Sequence, residues 1–136
     1  MKDITKEIGE RYFLFKRVKG DYYTIDLNTI WDDVFEYLLE SPYKTYCDED
    51  LIHISILHRR GEEDFLDVGF LFSDYIPPCS LFRVNVIQSG FFKIVKQVGL
   101  NNNYASNSTS FFYMKHLNST DTISINAIST EIYVLQ

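Results

Sequence analysis

Three histidines, two cysteines and a run of adjacent carboxylates are the residues of this sequence whose types could do chemistry. His53 and His58 lie on one β-rich run, and their odd separation points them to opposite faces of a strand. They therefore cannot share a metal ion or form an acid and base pair. His116 could join either one only through tertiary structure. Asp48-Glu49-Asp50 offers the oxygen ligands a hard cation wants, yet it lacks the spacing and the glycine of a calcium loop. Cys79 follows Pro77-Pro78 with no basic neighbour to activate it, and two cysteines are too few for a disulfide framework or a four-ligand zinc site. Cys47 and Cys79 are expected to be free thiols. Phosphate-cradling glycine loops, nucleophile elbows and helical zinc motifs do not occur. The expectation is a protein that is not an enzyme, with no metal and no cofactor. An enzyme would have to assemble its site from distant residues such as His53, His116 and nearby carboxylates.

The elements that must position these residues follow from hydrophobic periodicity. Residues 3–9 suggest a short helical turn. Arg11–Val18 alternates in a β manner, and Lys19-Gly20-Asp21 turns it into a second run, Tyr22–Leu27. Ile30, Trp31, Val34, Phe35, Leu38 and Leu39 repeat with helical spacing after a cap at Asn28 or Thr29, and Ser41-Pro42 stops the pattern. Leu51–His58 and Phe65–Phe72, apolar at nearly every position, form a hairpin in the middle of the sheet. Residues 73–80 make a loop, and Leu81–Ile87 is a strand. Phe91, Phe92, Ile94, Val95 and Val98 fit a helix closed by Gly99, with a strand as the alternative. A polar loop over 101–110 leads into a third hairpin, Phe111–Leu117 with Thr122–Ile128, and Glu131–Leu135 is a last strand. At 136 residues, without an internal repeat or a linker, the chain reads as one domain. Its dense aromatics favour sheet. The predicted fold class is α+β: a curved, mostly antiparallel β-sheet with two or three helices packed on it.

Charge is distributed unevenly. The formal net charge is −6, but residues 21–74 carry −11, flanked by +3 before and +2 after. Asp32, Asp33 and Glu36 fall away from the apolar stripe of the predicted helix. Asp48, Glu49 and Asp50 precede the Leu51–His58 strand, and Glu62, Glu63 and Asp64 follow it. As spatial neighbours these groups would make one negative field able to speed encounter with a cationic partner. Tyr43 and Tyr46, beside the acidic loop, are the aromatic residues placed to anchor such a complex. The deficit of Lys and Arg disfavours direct nucleic-acid binding. The N-terminus lacks the apolar core of a signal peptide and no run is long enough to span a bilayer, so a cytoplasmic location with no membrane contact is expected.

A small, acidic, aromatic-rich chain with no catalytic constellation resembles in character the immunity proteins of bacterial toxin systems, including those paired with contact-dependent inhibition toxins. The resemblance implies a protein that binds one cognate toxin domain, often a basic nuclease, and blocks its active site or substrate surface. The bottom-up reading is compatible, since a negative surface competes with nucleic-acid phosphate for a basic cleft. The expected partner is thus a basic protein, a toxin domain. The alternatives are a phage-type or other nucleic-acid-mimic inhibitor of a host nuclease, and the small enzyme noted above.

Overall fold

The structure is a computed structural model that describes residues 4–48, 51–98, 111–117 and 129–136. Among the described residues eight antiparallel strands form a single sheet: β1 (Ile4–Ile8), β2 (Arg11–Lys19), β3 (Ile52–Arg60), β4 (Glu63–Phe72), β5 (Arg83–Ile87), β6 (Gly90–Val98), β7 (Phe112–His116) and β8 (Ser129–Leu135). Their spatial order is β1-β6-β8-β7-β3-β4-β2-β5. One α-helix, α1 (Leu27–Glu40), lies between β2 and β3, and a turn of 3-10 helix (Lys44–Asp48) follows it. The α+β class holds, with one α-helix among the described residues where two or three were predicted.

The order reveals two halves of like topology. β2, β3 and β4 lie as β3-β4-β2, while β6, β7 and β8 lie as β7-β8-β6, and the halves meet at the β3–β7 pair. Each outer strand is then extended by a strand from elsewhere: β1 pairs with β6 and β5 pairs with β2. The repetition is topological and has no counterpart in the amino-acid pattern.

Local chemistry explains most boundaries. Asp26, one residue before the helix, accepts a hydrogen bond from the Asn28 amide at 3.1 Å and another from Thr29 Oγ1 at 3.0 Å, so the cap is Asp26 and not Asn28 or Thr29. Ser41 closes the other end through the Leu38 carbonyl, and Pro42 cannot continue the helix. Trp31, Val34 and Leu38 are buried as their spacing predicts, whereas Phe35 is only half-buried. At the β3–β4 hairpin the predicted six-residue connection contracts to Gly61-Glu62, because Arg60 pairs with Glu63 and Gly61 adopts φ +64°.

Two expectations fail and a third resolves to its alternative. Residues 4–8 are a strand, because Ile4 to Ile8 pair with β6. Tyr22–Leu27 is a turn leading into α1, held by the Asp21 side chain on the Tyr23 and Thr24 amides, and β2 pairs with β4 and β5 instead. Residues 91–98 are β6, the strand alternative, since they pair on both sides with β1 and β8. β7 pairs with β3 and β8; the predicted strand 122–128 and loop 101–110 lie outside the described residues.

The sheet curls into a half-barrel. Phe13 and Phe15 on β2 and Phe92 and Ile94 on β6 belong to one buried cluster on the face away from α1. Gly69 permits close approach at the bend: a Cβ there would lie 1.8 Å from the Leu14 carbonyl oxygen. A second, larger cluster joins α1 to the opposite face.

Candidate functional site

Among the described residues only four polar or charged side chains are fully buried, namely Ser55, Asp67, His116 and Thr130. Three of them lie on the α1 side of the sheet. Strand register produces a row across four strands, Phe70–His53–His116–Thr130, in which each residue faces the next. The neighbouring row carries Val68, Ser55, Met114 and Ile132. The rows cross the β3–β7 seam where the two halves meet.

Helix α1 brings Trp31 over this seam. Its indole Nε1 donates to the Gly69 carbonyl at 3.0 Å, and its ring stands edge-on to His53 at 5.1 Å and to His116 at 4.8 Å. Phe70 meets His53 from the other side at 4.8 Å. The turn before α1 supplies Tyr22, whose hydroxyl shares a 2.7 Å hydrogen bond with Ser55 Oγ, and Ser55 Oγ shares another of 2.7 Å with His116 Nε2. The result is a buried Tyr22–Ser55–His116 chain walled by aromatic rings.

Both imidazoles are neutral at physiological pH. Burial pushes His116 down to about 3, with the nearby His53 adding to the effect, and burial likewise lowers His53. His53 Nδ1 lies 3.1 Å from the Leu51 carbonyl. A carbonyl can only accept, so Nδ1 carries the proton and Nε2 is left as an acceptor. His116 Nδ1 has no hydrogen-bond partner among the described residues although its side chain is 4% exposed. Burial also drives the Tyr22 phenol far above its ordinary value, outweighing the Ser55 hydrogen bond. Among the described residues no carboxylate meets His116 Nδ1 to orient the ring as in a Ser–His–Asp arrangement. The arrangement can hold a hydrogen-bonding group in an apolar setting.

The third histidine belongs to the other face. His58 Nε2 lies 2.7 Å from Asp67 Oδ2, and Arg17 grips the same carboxylate through Nε at 2.6 Å and Nη2 at 2.8 Å. Burial would raise the Asp67 carboxyl, but the hydrogen bonds from Arg17 and His58 outweigh it and hold it below the usual range. The predicted separation of His53 from His58 is what the structure shows. The carboxylate that an assembled His53–His116 site would need is on the far side of the sheet.

Two of the predicted acidic groups are held apart by β3. Asp32 and Glu36 are exposed on α1, while Asp33 bridges to Lys16 at 3.2 Å. Asp48 is exposed before β3, and Glu62, Glu63 and Asp64 sit at its far end, separated by a strand about 26 Å long. Glu63 pairs with Lys19 and Asp64 with Arg59. Glu49 and Asp50 lie outside the described residues. Tyr43 and Tyr46 are half-buried against the α1-side core, Tyr46 lying 5.4 Å from the Phe72 ring. Tyr46 also lines a cavity of about 200 Å³ with Arg11, Leu51, Ile52, Phe72 and Asp74. Cys47 and Cys79 are free, and among the described residues no group of three or more His, Cys, Asp or Glu could hold a metal. No helix among them is long and apolar enough to cross a membrane.

No family model matches the chain, and no curated protein matches its sequence. Solved structures do match in fold. The EcmrR C-terminal domain superposes with a TM-score of 0.64 at 13% identity, over 98% of this chain and 96% of that one. A hydrolase from Listeria innocua gives 0.64 at 10% identity, over 98% and 91%. SAV2435 bound to tetraphenylphosphonium gives 0.54 at 8% identity, over 99% and 93%. At these identities the likeness establishes the shared fold.

Proposed function

We propose that the chain is a ligand-binding domain that takes up a small, mostly apolar molecule between α1 and the central strands β3 and β7. The observation that carries this reading is the polar row inside an apolar core. Burying hydroxyl and imidazole groups costs free energy unless they are satisfied, and here they are gathered at one place, ringed by Trp31, His53 and Phe70, with one nitrogen left over. Apolar surroundings with a few convergent polar groups are the general composition of small-molecule sites. The fold shared with SAV2435, whose structure holds a four-ringed organic ion, supports the same reading. The reading is binding and not catalysis, since among the described residues neither His53 nor His116 has a carboxylate partner.

Trp31 is the sole tryptophan, so its emission reports on the seam. Titration with hydrophobic aromatic molecules, charged and uncharged, of the size of tetraphenylphosphonium should change that emission saturably and raise the melting temperature. If none of them moves either signal, the reading fails.

A second reading, inhibition of a basic toxin domain, draws support from the outward face of α1, where Asp32, Glu36 and Glu40 are exposed. Its partner and its cytoplasmic setting are likewise proposals. Reversing Asp32 and Glu36 to Lys should slow association with a co-purifying basic protein at low salt, and an unchanged rate removes this support.

A further inference from the structure

We infer that the ligand of the seam is uncharged and that His116 Nδ1 is its polar anchor. This rests on the ligand-binding reading above and adds the chemical class of the ligand and the atom that holds it. Four observations carry it. First, the imidazole is almost wholly enclosed, and its Nε2 is already committed to Ser55 at 2.7 Å. Second, Nδ1 has no partner among the described residues, an arrangement that costs stability unless something else meets it. Third, the neighbours of the ring are Trp31 on one side and His53 across the β3–β7 pair, both flat surfaces suited to an apolar body. Fourth, among the described residues no carboxylate is hydrogen-bonded to either imidazole of the seam. Asp33 is paired with Lys16 of β2, two strands away from Ser55 in the same row, and Asp67 faces the opposite side of the sheet, where Arg17 and His58 hold it.

A cation placed beside His116 would lose its hydration and find ring faces but, among the described residues, no carboxylate. An anion would find neutral imidazoles. A molecule with an apolar body and one hydroxyl, carbonyl or amide group loses little water on entry and satisfies the orphaned nitrogen. Selectivity therefore runs toward neutral molecules, even though the fold is shared with a protein seen with a phosphonium ion.

Three probes of similar shape separate the contributions: triphenylmethanol, which is neutral with a hydroxyl; triphenylmethane, which is neutral without one; and tetraphenylphosphonium, which is charged without one. Binding is read from Trp31 emission and from the melting temperature. Triphenylmethanol should bind on the order of 10-fold more tightly than either of the others, the factor expected for one buried hydrogen bond. The His116→Gln variant places its amide near the Nε2 position, keeping a partner for Ser55 while removing the Nδ1 group. It should fold and lose the triphenylmethanol preference. The His116→Asn variant, whose amide falls near the Nδ1 position, should retain it. Tetraphenylphosphonium binding as tightly as triphenylmethanol, or a preference unchanged in His116→Gln, overturns the inference while leaving the seam as a ligand site. Failure of all three probes overturns the ligand-binding reading and the inference with it.

Discussion

The two faces of one sheet treat the same residue types in opposite ways. On the α1 side, His53 and His116 sit among Trp31, Phe70 and Ser55 with no carboxylate beside them, and desolvation keeps them neutral. On the other side, His58 shares the Asp67 carboxylate with Arg17, whose guanidinium also lies 5.7 Å from the Phe15 ring. Most basic strand residues lie on the second face: Lys6, Arg11, Arg17, Lys19, Arg60, Arg83, Lys96 and Lys115 take register positions there with Glu63, Asp67 and Glu131, while Lys16, Arg59 and Lys93 take positions on the α1 side. Strand parity thus decides whether a histidine lies in an apolar setting or against a carboxylate. The −11 of the middle segment describes the sequence, whereas the sheet sorts charge by face.

The largest test of this contrast is on the α1 side. Trp31→Ala should cost about 3–5 kcal/mol in a urea melt, because it empties the space over the seam and orphans the Gly69 carbonyl. Phe35→Ala, half-buried on the same helix, should cost about half as much. Equal losses would mean that α1 is not seated by Trp31.

On the opposite face, Arg17→Leu should cost about 3 kcal/mol, since it leaves the Asp67 carboxylate buried with His58 alone. A loss below about 1 kcal/mol would show that the carboxylate is solvated and the division between the faces weaker than drawn.

Acid should strip the two faces in different windows. The folded pKa of His116 lies below the unfolded value of about 6.5, so the unfolded chain binds the extra proton. Stability is therefore full above that value and falls as pH drops toward about 3. The slope is about 1.4 kcal/mol per pH unit for each such histidine, and His53 titrates in the same direction. Asp67, whose folded pKa is depressed, contributes stability that is present above about 3.8 and is lost below it. Urea melts between pH 6.5 and 4 should show the histidine slope, reduced in His116→Gln by up to about 1.4 kcal/mol per pH unit; an unchanged slope would place the titration elsewhere.

The smallest expected effect belongs to the surface. Glu63→Gln removes an ion pair whose partners are 68% and 54% exposed, and should change stability by less than about 1 kcal/mol. A larger loss would mean that the rim of the helix-free face contributes to holding the curl.

Much of this architecture was legible. The apolar spacing of α1, the central β3–β4 hairpin and the opposed directions of His53 and His58 all follow from period and parity. The histidine seam was not, for a specific reason. β3 reads Ile-His-Ile-Ser-Ile, so its polar side looks like the solvent face, yet α1 covers it while the isoleucine side is buried by the curl. Nothing local records that both faces are covered. The meeting of His53 with His116 depends on a pairing across more than 60 residues, and β6 mimics helical spacing because it is apolar on both sides. The acidic runs are plain in the sequence, but a strand's length keeps two of them apart.

The exchange of outer strands bears on how the chain reaches its native state. β1 is made first and yet waits for β6, and the central edge of β3 stays open until β7 is available. The β2, α1, β3 and β4 unit can gather early through short-range contacts, but during synthesis it presents an unpaired strand edge. Closing the sheet requires pairings between distant parts of the chain, which slow folding and leave that edge free to find another molecule. This protein should therefore refold more slowly than a helical protein of its length, and its yield on refolding should fall as its concentration rises.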